Sequence, residues 1–245
     1  MKAEAHADSD RAALCFDRVS FCWPCGTQAL DQCSVEIRSP GLWMLVGSNG
    51  SGKSTLFRMI CGLIHPQRGE VRCSLRPALV FQNPDHQLLL PSCSSELLLN
   101  LPPQLSRSKK LERIEELLEQ VGLAGMGGRS IHTLSGGQKQ RLSIAGALAS
   151  EANLLLLDEP TALLDSASQT TILATVQQLC HRSKTPLTAL WVTHRLGELD
   201  HADGAARMEN GRIGPWRSGP VVRQELEPLA GRRGCEVSSL GHIPR

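Results

Sequence analysis

Hydrophobic and polar positions follow a strand-like order from Leu14 to Ile37. Cys15-Phe16-Asp17-Arg18-Val19-Ser20-Phe21 and Cys33-Ser34-Val35-Glu36-Ile37 flank the turn signal Pro24-Cys25-Gly26-Thr27, the pattern of an antiparallel pair. The pattern then changes. Leu42-Trp43-Met44-Leu45-Val46 is a continuous apolar run, as expected of a strand covered on both faces. Ala78-Leu79-Val80-Phe81, Leu154 to Leu157 and Leu187 to Thr193 are further short apolar runs of this kind. Between them lie helical stretches: Ser54 to Leu63, ended near Gly62; about Gly137 to Ala149; and Thr170 to Cys180. Alternating strands and helices predict a mostly parallel sheet with helices on both faces.

Leu111, Ile114, Leu118 and Val121 recur at helical spacing with Glu and Arg between them. Pro102-Pro103 precedes this stretch and Gly125 to Gly128 follows it. It reads as a helical subdomain, about 90–145, inserted into an α/β domain spanning 13–216. Residues 1–12 are polar and read as a loose tail. Residues 217–245 carry Pro, Gly and charge with little periodicity and read as a second tail with no assigned role.

The bulk numbers exclude several classes. At 41% hydrophobic and 20% charged over 245 residues, the chain has the make-up of an ordinary globular protein. Its 26 basic and 24 acidic side chains leave a net charge of +2, which gives no reason to expect a nucleic-acid partner. No apolar run approaches the ~20 residues that span a bilayer. Met1 to Ala13 carries Glu4, Asp8 and Asp10 without an apolar centre, so it does not read as a signal peptide, and the expected location is the cytoplasm. Nine cysteines at irregular spacing do not form a disulfide framework. The single C-x-x-C, Cys22 and Cys25, leaves a metal or redox site open but has no second pair, and the favoured reading is thiols on a sheet and its turn.

The chemistry lies in an ordered set of short motifs. Gly47-Ser48-Asn49-Gly50-Ser51-Gly52-Lys53-Ser54 matches the phosphate-loop pattern, and it stands between an apolar strand and a helix, the context that pattern requires. Glycines keep side chains out of the way of converging backbone N–H groups, and the helix N-terminus adds partial positive charge. Lys53 supplies a full charge to the β and γ phosphates, and the Ser54 hydroxyl is placed for Mg²⁺. Asp158 ends the leucine strand, at the rim where ligands bind in such sheets, and is the expected holder of Mg²⁺. Glu159, one residue on and followed by Pro160, is the candidate for orienting and deprotonating an attacking water. Ser135-Gly136-Gly137-Gln138 opens a helix with a serine and two glycines. Pattern alone leaves a second anion site and a plain helix cap equally open there.

Taken together, Gly47 to Thr55, Gln82, Leu134 to Arg141, Leu154 to Pro160 and His194 strongly resemble the ATP-binding subunit of ABC transporters. The resemblance covers about residues 14–215, and Leu134-Ser135-Gly136-Gly137-Gln138 is that family's own signature. It implies an α/β P-loop NTPase with a mostly parallel sheet core, an N-terminal antiparallel β subdomain and an inserted α-helical subdomain. It implies ATP and Mg²⁺ as ligands, and two protomers, identical or paralogous, that sandwich ATP head to tail. Ser135, Gly136 and Gly137 of one protomer would then meet the γ-phosphate held by the other's loop, Gly47 to Thr55. The resemblance further implies that Gln82 contacts Mg²⁺ and the attacking water and reports to an integral membrane subunit. Asp165 would lie at the dimer seam, and His194 would hold the γ-phosphate and position Glu159. Trp23 falls where the family stacks an aromatic ring on adenine. Phe81-Gln82-Asn83-Pro84-Asp85-His86-Gln87-Leu88 is similar to the ATPases of energy-coupling-factor and cobalt-type importers, which implies import of a metal ion or vitamin, with the chain peripheral on the inner face of the membrane. The alternative is a soluble ABC-type ATPase acting on a ribosome or DNA. Against it stand one cassette, no long heptad run and no basic surplus. An intact Glu159 and His194 argue against a cassette that binds ATP without cutting it.

Overall fold

The computed structural model describes residues 12–38 and 40–236. Its strands are β1 (Leu14–Cys22), β2 (Gln28–Ile37), β3 (Gly41–Val46), β4 (Arg68–Cys73), β5 (Pro77–Val80), β6 (Leu154–Asp158), β7 (Thr188–Thr193), β8 (Gly204–Glu209) and β9 (Arg212–Ile213). Its α-helices are α1 (Lys53–Ile60), α2 (Cys93–Asn100), α3 (Arg107–Gln120), α4 (Gly136–Ala149), α5 (Ser166–His181) and α6 (Gly219–Glu236).

Two sheets result. The alternating N-terminal segments pair antiparallel as β2-β1-β4. The apolar runs form a six-stranded sheet in the order β5-β6-β7-β3-β8-β9, parallel from β5 to β8 with β9 antiparallel at the edge. The α/β class with a mostly parallel core and an N-terminal antiparallel sheet is thus as the sequence predicts.

The leucine strand β6 lies between β5 and β7, and Leu154 to Leu157 are fully buried. Successive strand residues point to opposite faces, and here they feed two different cores. Leu155, Leu157, Ala189 and Trp191 join α2, α3, α4 and α5 on one face. Leu154, Leu156, Leu190 and Val192 meet α1 and the antiparallel sheet on the other. Burying each such side chain contributes roughly 1.5–3 kcal/mol, so the strand is anchored from both sides. That fixes where its final residue, Asp158, emerges.

Helix α3 buries Ile114, Leu117 and Leu118, with Val121 just beyond its end, whereas Leu111 is 57% exposed. The buried stripe is therefore one turn shorter at its start than the sequence spacing suggests. The C-terminal stretch also differs from the expected tail. Residues from Gly219 onward form α6, which buries Val222 and packs Leu226 on the main core. Among the described side chains of this helix these two apolar residues, four apart, face inward while Val221 is exposed, too sparse a pattern to read as periodicity. Arg217 pairs with Glu225, and Arg223 bonds both Asp200 and Glu227. The predicted N-terminal tail lies almost wholly outside the described residues. Among the described residues no helix is long and apolar enough to cross a membrane.

Candidate active site

Parallel strands end on one rim, so their following loops share it. Val46 of β3 is level with Thr193 of β7, Asp158 of β6 is level with Val192 of β7, and Val80 of β5 is level with Leu157 of β6. The phosphate loop, Asp158-Glu159, His194 and the segment holding Gln82 therefore leave four adjacent strands at one edge of the sheet. That edge is where ligands bind in folds of this kind.

The phosphate loop is held from behind. Gly47 passes so close to β8 that a Cβ there would stand 2.3 Å from Met208 O, which leaves no room for a side chain. The turn Asn210-Gly211 has positive φ at both residues, the geometry a two-residue hairpin turn requires. Gly211 N–H donates to Ser51 O at 3.0 Å, and Gly211 O accepts from Asp31 N–H at 3.1 Å, so this turn ties the loop to β2.

Lys53, the first residue of α1, is 6% exposed. Its ammonium donates to Gly47 O and Ser48 O, both at 2.8 Å, and reaches Ser51 Oγ at 3.4 Å. Burial holds its pKa below the usual lysine value, against the opposing pull of the Glu159 and Asp158 carboxylates. Asp158 shows the converse. Burial, and then the neighbouring Glu159 charge, push its carboxyl above the usual range, opposed by Lys53, a hydrogen bond from Ser54 and His194. Lys53, Ser54, Asp158, Glu159 and His194 thus form one electrostatic unit.

Glu159 has φ of 48°, the left-handed region. A non-glycine residue there costs about 1–3 kcal/mol and persists only where its surroundings hold it. The surroundings are visible: Glu159 N–H donates to Val192 O at 3.1 Å, and Glu159 O accepts from Ala162 N–H at 3.1 Å. The conformation turns the side chain toward the next strand's loop, where Glu159 Oε1 meets His194 Nε2 at 2.7 Å.

The signature residues form a second unit. Ser135 caps α4: its Oγ accepts from Gln138 N–H at 3.3 Å, while Gln138 Oε1 accepts from Ser135 N–H at 2.9 Å. Asp165 caps α5, accepting from Ser168 N–H at 2.9 Å and Ser168 Oγ at 2.8 Å, and these bonds hold its carboxyl below the usual range. The two helix starts touch, since a Cβ on Gly137 would lie 2.6 Å from Ser168 Oγ. Their hydrogen bonds close on their own helices rather than on the Lys53 to His194 unit.

Gln82 is exposed. The loop that carries it is fastened to the signature helix: Gln140 Nε2 donates to Phe81 O at 3.0 Å, and Lys139 Nζ meets Asp85 at 2.7 Å. Trp23 lies in the β1–β2 turn, edge-on to Phe21 with ring centroids 5.0 Å apart, and the Arg58 guanidinium stands 5.6 Å over its ring. Of the C-x-x-C pair, Cys22 Sγ contacts Trp23 O and Cys25 Sγ contacts Thr27 Oγ1.

A phosphate loop at the end of a central parallel strand, with an acidic strand end on the same rim and one strand between them, defines a P-loop nucleoside triphosphatase. The family profile described as ABC transporter matches residues 30–162. ABC transporter I family member 10 of Arabidopsis thaliana is 44% identical over 202 residues, covering 82% of this chain and 74% of that protein. The energy-coupling factor transporter ATP-binding protein EcfA1 of Symbiobacterium thermophilum is 38% identical over 200 residues, covering 76% and 69%. Among solved structures, cbiO1 from Clostridium perfringens, part of the ABC transporter complex cbiONQ, superimposes with a TM-score of 0.80 at 26% identity, over 90% of this chain and 94% of that one. A dimeric ATP-binding cassette bound to ADP and phosphate shares the fold, with a TM-score of 0.72 at 24% identity over 84% and 98%. The chain belongs to the ABC transporter family and is an ATP-binding, ATP-hydrolysing subunit with relatives of the energy-coupling-factor and cobalt type.

Proposed function

We propose that this protein energises import of a micronutrient, a metal ion or a vitamin, by hydrolysing ATP between two facing cassettes bound to an integral membrane subunit on the inner face of the membrane. The cargo class rests on the likeness to EcfA1 and cbiO1 proteins. The observation that carries the reading of the site is the 2.7 Å contact between Glu159 Oε1 and His194 Nε2 on the rim that also bears the phosphate loop.

In this reading the Gly47 to Thr55 loop wraps the triphosphate. Lys53 exchanges the loop carbonyls it now bonds for phosphate oxygens. Trp23 stacks on adenine. The oxygen donors of Ser54 and Asp158, already hydrogen-bonded to one another, suit a hard cation such as Mg²⁺, with Gln82 as a third ligand. The metal would neutralise charge developing on the phosphates. Glu159 takes the proton of the attacking water, and His194 fixes the Glu159 carboxylate and touches the γ-phosphate. The other protomer, a copy of this chain or a paralogue, closes the site with its own Ser135, Gly136, Gly137 and Gln138, with Asp165 at the seam. No nucleic acid takes part.

Leu89, Leu98 and Leu99 are 75%, 46% and 61% exposed near the Gln82 loop and the helical subdomain. They suit a membrane subunit's helix, and Gln82 would report the state of the site to it. A photo-crosslinker placed at Leu89 should capture an integral membrane protein in native membranes. Capture of soluble proteins alone would count against the transport reading and favour a soluble partner.

A further inference from the structure

Glu198 stands in the 3₁₀ helix Leu196–His201, just after His194, and is 8% exposed. Its carboxylate accepts from three side chains: Thr161 Oγ1 to Oε1 at 2.6 Å, Thr193 Oγ1 to Oε2 at 2.6 Å and Trp191 Nε1 to Oε2 at 3.1 Å. The Arg195 guanidinium lies 3.9 Å from Oε1. A buried carboxylate is costly unless hydrogen-bonded, and bonds to an ionised acceptor are roughly twice as strong as neutral ones. Glu198 meets the first condition with one donor from the turn that follows Glu159, Thr161, and two from the end of β7, Trp191 and Thr193, which leads directly into His194.

Thr193 precedes His194, and its Oγ1 also accepts from Arg195 N–H at 2.9 Å, so His194 is bracketed on both sides by one hydroxyl. Thr161 follows Glu159 by two residues in the turn closed by Ala162 N–H on Glu159 O. Gln169 Nε2 holds this turn and the residues after it, donating to Thr161 O at 3.4 Å and to Leu164 O at 2.6 Å. We propose that Glu198 is a positioning residue for ATP hydrolysis: it locks the loop of Glu159 and the loop of His194 in one register, so that Nε2 of the histidine meets Oε1 of the glutamate. The proposal rests on the reading that Glu159 and His194 carry hydrolysis.

The test is a double-mutant cycle on ATP turnover by the full chain. E198A leaves the Trp191 N–H and both threonine hydroxyls without their shared acceptor. It should lower kcat about tenfold or more, with KM for ATP within about twofold. E198Q can turn its amide oxygen to Trp191 and Thr193 and its amide nitrogen to the Thr161 hydroxyl, which is able to accept. It should keep kcat within about threefold of the parent. T161V severs only the link between the loops and leaves Glu198 its other donors, so it serves if E198A fails to fold. It should lower kcat about fivefold without moving KM.

The decisive comparison is H194A in each background. Because Glu198 acts through the histidine, H194A should cost far less in E198A or T161V than in the parent. Full multiplication of the two costs would overturn the proposal while leaving the catalytic reading intact, and so would parental kcat in T161V. Parental turnover in H194A alone would instead refute the catalytic reading, and the proposal with it.

Discussion

Glu159→Gln isolates one chemical act. The replacement has the same length and one fewer charge. Its amide oxygen can still accept from His194 Nε2 across the 2.7 Å gap, and its main chain keeps the bonds to Val192 O and Ala162 N–H that hold φ at 48°. What is lost is the ability to take a proton. General-base catalysis contributes typically ~10²–10⁴ in rate, equivalent to about 2.7–5.5 kcal/mol of barrier. ATP affinity should not fall. A negative charge beside Asp158 is removed from a pocket that must receive a polyanion, so binding should hold or tighten. Rapid-quench single-turnover cleavage of γ-labelled ATP gives the rate, and equilibrium nucleotide titration gives the affinity. Cleavage within about fivefold of the parent would refute the assignment of Glu159 as base. A comparable loss in affinity would show that the side chain holds nucleotide rather than water.

Lys53→Ala should weaken nucleotide binding itself, and unaltered ATP affinity by titration would contradict the cradle assignment. Asp158→Asn should abolish most ATP turnover yet raise the melting temperature at neutral pH. The Asp158 carboxyl is pushed above its ordinary value in the folded protein. Its contribution to stability is therefore present in acid and lost as pH rises through the raised value, leaving an ionised group that destabilises at neutral pH. The gain over the parent should shrink as pH falls from the raised value toward the ordinary carboxylate value and be gone below it, and a gain that grows in acid would contradict the sign. Trp23→Ala should weaken ATP binding by about 1–3 kcal/mol, the worth of one stacked base, while Trp23→Phe keeps most of it. Equal affinity for all three proteins would exclude Trp23 from the adenine site.

How much of this was legible in the sequence depended on where the information sits. The phosphate loop could be read because backbone cradles need glycines, and their spacing is local. Leu154 to Leu157 could be read as an interior strand because a residue buried on either face must be apolar, and Asp158 and Glu159 followed from its end. His194 carried no local signal, and only its resemblance to a family motif singled it out. The 2.7 Å contact that gives it meaning joins two strands distant in sequence. Strand β4 was invisible because its residues are mostly exposed and only Val71 and Cys73 turn inward, too short an alternation to stand out. Helix α6 was missed because, among its described side chains, Val222 and Leu226 alone pack on the core, too few to show a period. Leu111 was misjudged because spacing gives a face but not where that face runs into solvent. Glu198 reads as an ordinary surface charge in sequence. Its burial and three donors appear only when β6, β7 and the loops after them are brought together.

In the proposed mechanism each ATP is cut between two protomers, one contributing the phosphate loop and the other its Ser135 to Gln138 cap. Turnover per protomer at saturating Mg-ATP, followed as the protein is diluted and matched to its sedimentation, tests this most directly. The mechanism predicts that turnover per protomer falls in step with the dimer population and vanishes where protomers are solitary. Constant turnover per protomer through a range where sedimentation finds only monomers would contradict it.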